Sequence, residues 1–143
     1  MLDSKEQYEL VTLLLKISNS INRRRNLKLR KLNLTSRQVD VLRYVSNHAN
    51  STMTTLAIVM GCAHQTIQEV LLKMKQKHLI KMVKSPKDGR CRVIVMTKLG
   101  QKRAKYLGNH PVNSGEQLVR DMSNENQKLL LMLLTQSLNN LDN

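Results

Sequence analysis

Two short stretches hold most of the side chains with chemistry to offer. HQTIQE at residues 64–69 gathers His64, Gln65, Thr66, Gln68 and Glu69. Glutamine presents paired donor and acceptor atoms that suit adenine, threonine adds a methyl group that suits thymine, and a carboxylate accepts from cytosine. SPKDGRCR at 85–92 sets Lys87, Asp88, Arg90, Cys91 and Arg92 around an Asp-Gly turn. A guanidinium at a hairpin tip fits a narrow, electronegative minor groove. Asp88, two residues earlier, is expected to hold the Arg90 guanidinium in one orientation. Arg37, Lys73 and Lys75, on flanking segments, supply cations for phosphate.

The overall charge points the same way. Lys and Arg number 24 against 10 acidic residues, a net charge of +14, and the pI is about 10.3. A polyanion compensates such a field and a neutral partner does not. At 143 residues the chain suits one domain. Cys62 and Cys91 are the only cysteines and no metal-ligand spacing occurs, so no metal or other cofactor is expected, and a reduced cytoplasmic setting fits best. His48, His64, His78 and His110 fall on separate segments without a neighbouring nucleophile, which argues against an enzyme and leaves no catalytic residue to name. The first 20 residues lack the features of a signal peptide. The longest apolar run, LLLMLL at 129–134, is far too short for a bilayer, so no membrane partner is expected.

Periodicity supplies the elements that must position these groups. Tyr8, Val11, Leu14, Leu15 and Ile21 recur at helical spacing and predict a long first helix from Ser4 to about Leu29. Its end, RRRNLKLRK at 23–31, places cations where they complement the helix dipole. Thr35 with Gln38 reads as a capping box that opens a second helix to about His48. Thr52 caps a short third helix that Gly61 ends. Ile67, Val70, Leu71 and Met74 then mark an amphipathic fourth helix, whose other face carries the 64–69 groups. From Ile80 the period changes to that of two strands on either side of Asp88-Gly89, a hairpin with a turn chemistry that Asp-Gly favours. Thr97 caps a further helix, a break containing Pro111 interrupts it, and Ser123 opens a last helix to about Leu141. The fold class is mainly α with a small β-hairpin wing: a helix-turn-helix followed at once by a basic hairpin is a winged helix.

Four segments carry a family resemblance: LTSRQVDVLRYV at 34–45, TMTTLAIVMGCAHQTIQEVLLKMKQKHLI at 52–80, SPKDGRCRVIVMTKLG at 85–100 and DMSNENQKLLLMLLTQSLNNL at 121–141. In order and spacing they resemble the MarR family of winged helix-turn-helix transcription regulators. The sharpest part is the wing followed by a strand and T-x-x-G, here Asp88, Arg90, Thr97 and Gly100. The resemblance implies a DNA-binding unit at 34–97, with 1–31 and 98–143 as dimerization helices. It also implies a homodimer on a palindromic double-stranded DNA operator, mostly repressive, and released by a small-molecule effector such as an aromatic anion. Three positions depart from the pattern: Ala63 where a capping Ser is usual, His78 where Gly closes the recognition helix, and Glu69 where the side chain is usually neutral or basic.

Two other readings stay open at this level. Charge alone would serve a nonspecific or architectural DNA-binding protein, which a specificity ratio near unity would reveal. Cys91, between two arginines, is a candidate redox-sensing thiol, whereas Cys62 reads as a small core residue. The apolar LLLMLL run needs burial on more than one face, which a partner chain would supply.

Overall fold

The computed structural model describes residues 1–110 and 114–142; Pro111, expected to break a helix, lies outside them. Helix α1 spans Ser4–Leu29, opened by a capping box in which Asp3 accepts from the Glu6 amide and Glu6 from that of Asp3. A 3-10 turn, Arg30–Leu32, follows and ends at Asn33 in the left-handed region. Helix α2 (Ser36–Asn47) starts with the expected box: Thr35 Oγ1 accepts from the Gln38 amide at 3.3 Å and Gln38 Oε1 from the Thr35 amide at 3.1 Å. Helices α3 (Met53–Val59) and α4 (His64–Gln76) follow, with Gly61 between them at φ 58°, a conformation glycine adopts without steric cost. Strands β1 (Ile80–Lys84) and β2 (Arg92–Met96) pair antiparallel, Ile80 opposite Met96 and Lys84 opposite Arg92. Helix α5 covers Lys98–Asn109.

Residues 1–112 form one compact unit. Its core is made by Leu29, Val41, Leu42, Leu56, Ile67, Leu71 and Met74 with Ile80 and Ile94, so every element from α2 to β2 contributes its apolar side. Cys62 packs against that core, as its sequence context suggested. Two features fix the base of the wing. The Ile94 amide donates to Ser51 O at 2.8 Å, which anchors β2 to the α2–α3 connection, and Ser51 Oγ donates to His48 O at 2.7 Å. On the other edge, Thr97 Oγ1 donates to His78 O and accepts from the Gly100 amide. A Cβ at Gly100 would collide with the Leu79 carbonyl, which explains the T-x-x-G spacing: helix α5 must start against the backbone that leads into β1.

Residues 113–143 form a second unit. It holds the short helix α6 (Gly115–Val119), which periodicity did not reveal, and α7 (Asn124–Asp142), which Ser123 caps by accepting from the Asn126 amide at 3.2 Å. Among the described residues no helix is long and apolar enough to cross a membrane.

Candidate nucleic-acid interface

Helix α4 presents its residues by simple rotation, 100° for each position. Ile67, Leu71 and Met74 face the core. Gln65, Glu69, Leu72 and Gln76, separated by three or four residues, form the stripe on the opposite side, and all are exposed. His64, Gln68 and Lys75 border that stripe on one flank, Thr66 and Lys73 on the other. Glu69 therefore belongs to the outward stripe rather than to a helix–helix contact. Ala63 gives no side-chain cap, so α4 begins with free amide groups beside His64 and Gln65. His78 adopts φ 58° just past its end, the glycine-like conformation expected at that position.

Arg37, Thr66, Glu69 and Lys73 are brought together: with Asn22 and Asn26 they line a cleft of about 340 Å³ between the α1 end, the α2 start and α4. Lys75, Lys87 and the other wing groups lie outside it. A second cleft of about 460 Å³ is walled by Arg37, Asp40, Arg43, Tyr44, His48 and Met60. Tyr44 and His48 stack there at 4.0 Å with 9° between their planes. Arg25 from α1 pairs with Asp40 at 2.7 Å.

Lys77 was absent from the sequence-derived set, and no local pattern singles it out. Its backbone amide closes α4 by donating to Lys73 O at 3.0 Å, while its ammonium group reaches back to the start of α2, donating to Asn33 O at 2.7 Å and Gln38 Oε1 at 3.0 Å. Burial, with the Lys73 charge adding to it, holds its ammonium group below the ordinary lysine range. Leu72 was missed as well: it sits next to core residue Leu71, and only the rotation of the helix separates the two.

The wing loop bears out one expectation and corrects another. It is seven residues long, 85–91, and Asp88-Gly89 opens the turn within it. The loop closes through the Ser85 amide donating to Cys91 O at 2.8 Å and the Cys91 amide to Asp88 O at 3.0 Å. Asp88 is not paired to the Arg90 guanidinium. Its Oδ1 accepts from the Arg90 backbone amide at 3.0 Å, and its Oδ2 faces the Cys91 thiol at 3.6 Å. A short carboxylate satisfies the backbone of its own turn more easily than it reaches a long mobile side chain. Asp88 thus shapes the loop, leaving Lys87, Arg90 and Arg92 exposed around it.

Residues 34–92, from the segment before α2 to the first residue of β2, match the family model described as MarR family. This segment is similar to the MarR family. The solved structures support the same fold over nearly the whole chain. The S. aureus MepR–DNA complex superposes with a TM-score of 0.79 at 23% identity, covering 90% of this chain and 94% of that one. BldR from Sulfolobus solfataricus gives 0.79 at 23%, covering 98% and 99%. AbsC, a MarR family transcriptional regulator from Streptomyces coelicolor, gives 0.82 at 19%, covering 99% and 97%. No curated protein matches the sequence. At these identities the likeness of the MarR-family structures concerns the winged-helix fold, so the roles of individual side chains rest on their own geometry.

Proposed function

We propose that this chain is a sequence-specific, double-stranded-DNA-binding transcription regulator that acts as a homodimeric repressor. The observation that carries the reading is the joint presentation of an exposed polar stripe on α4 and an exposed basic wing from one rigid core. Helix α4 enters the major groove, where His64, Gln65, Thr66, Gln68 and Glu69 meet base edges. Arg90 enters the adjacent minor groove, with Lys87 and Arg92 beside it, while Arg37, Lys73 and Lys75 neutralise phosphates. A net charge of +14 favours this partner, and the similar MepR was crystallised with DNA.

Dimerization is supported by apolar stripes on both terminal helices. Tyr8, Val11 and Leu15 lie exposed on α1, and Leu131, Leu134, Leu138 and Leu141 on α7 follow a three-four spacing that suits helix pairing. Release by a small ligand is supported by the cleft beside Tyr44 and His48, whose two arginines and stacked rings suit a planar aromatic anion. Arg37 lines both this cleft and the one beside α4, so a carboxylate bound to it competes with phosphate.

Selection of duplexes from a randomised DNA library, followed by band shifts against bulk competitor DNA, tests the reading. A regulator enriches one palindromic sequence and prefers it by about a thousandfold or more. Equal affinity for every duplex would instead make the protein an architectural binder. Benzoate at millimolar concentration should lower the affinity of the wild type more than that of an Arg43→Ala variant.

A further inference from the structure

The outward stripe of α4 holds one residue whose chemistry is unlike the rest. Leu72 is 56% exposed, in a helix whose apolar side is otherwise turned to the core. It follows Gln65 by seven residues and Glu69 by three, and precedes Gln76 by four, so all four share one surface line. A leucine here gives up its transfer energy in the free protein, and nothing in its own unit covers it. Resting on the proposed function, we infer that Leu72 is a specificity-determining residue that seats against the C5-methyl group of a thymine in the major groove.

The chemistry of the groove selects this partner. Base edges offer donors and acceptors everywhere except at the thymine methyl, the one apolar group that a major groove presents. An isobutyl group cannot satisfy a desolvated purine N7 or a cytosine amino group, so those bases opposite Leu72 are penalised as well as unrewarded. Its neighbours fix the register. Gln65 lies about two turns nearer the helix N-terminus, where base contacts of such helices begin, so the thymine belongs beyond the bases that the 64–69 groups meet. Glu69 stands between them and sets an acceptor next to the apolar contact.

The test uses the full-length protein and the palindrome it enriches from a randomised duplex library. Each thymine of that palindrome is replaced singly by deoxyuridine, which removes the methyl group and leaves every hydrogen bond in place. Binding is then measured for the wild type and for Leu72→Ala. At one thymine per half-site the replacement should weaken wild-type binding by about fourfold, the worth of one buried methyl group, and binding of Leu72→Ala by less than about half that factor. Library selection with Leu72→Ala should show relaxed preference at the same position alone. Leu72 is exposed, so the variant should keep the wild-type melting temperature. If the wild type enriches a palindrome but no thymine methyl matters more to it than to Leu72→Ala, the inference fails and the proposed function stands. If the wild type enriches nothing, the proposed function fails and this inference with it.

Discussion

At the scale of single residues, the wing separates shape from contact. Asp88 satisfies the amide of Arg90 and touches the Cys91 thiol, so the carboxylate builds the loop while the guanidinium stays free for a partner. Arg90→Ala should therefore weaken binding to the selected palindrome by at least about tenfold with no change in melting temperature; equal affinity in band shifts at physiological salt would refute this role. Asp88→Ala should act differently, by loosening the loop that aims all three cations. Lys77 makes a prediction about pH. Its folded-state pKa lies below 10.5, so the folded protein holds fewer protons than the unfolded chain in the window just under that value, and stability from this group rises with pH there. Chemical denaturation from neutral pH up to 10.5 should show the wild type gaining on Lys77→Met as pH rises. A neutral amine still donates to Asn33 O and Gln38 Oε1, so the tie itself survives.

At the scale of elements, local signals and long-range ones fared differently. The starts of α2, α3, α5 and α7 were legible because Thr35, Thr52, Thr97 and Ser123 act on amides three residues away. Gly61 was legible as a helix end because glycine takes the left-handed conformation without strain, whereas His78 was marked as one only by the family resemblance. Helix α6 was not, since five residues show too little of a period. The Asp-Gly pair was legible as a turn, which the Cys91 amide closes on Asp88 O, whereas the seven-residue closure between Ser85 and Cys91 was not. The Lys77 link to Asn33, 44 residues away, lies beyond any local pattern. The outward stripe of α4 was partly legible: its polar members stood out by type, but Leu72 looked like core until burial distinguished it from Leu71. His78 also offers a clear stability test. It holds φ 58° where glycine is free of strain, so His78→Gly should stabilise the fold by about 0.5–1 kcal/mol, read as a higher midpoint in urea.

At the scale of the whole molecule, the terminal helices carry apolar surface out of proportion to a monomer of this size. Leu131 is 69% exposed and Leu138 59% exposed, one heptad apart on α7. Replacing both by glutamate should convert a dimer to a monomer in light scattering at micromolar concentration, and should weaken palindrome binding far more than binding of a single half-site. A monomeric mass for the wild type would refute the dimer. The anchoring of the wing has a mechanical consequence. Ile94 hangs β2 on Ser51, and Ser51 is bonded to His48, a wall of the aromatic cleft. The hairpin and the cleft wall thus share one short chain of hydrogen bonds, so the position of the His48 backbone sets the position of the base of the wing.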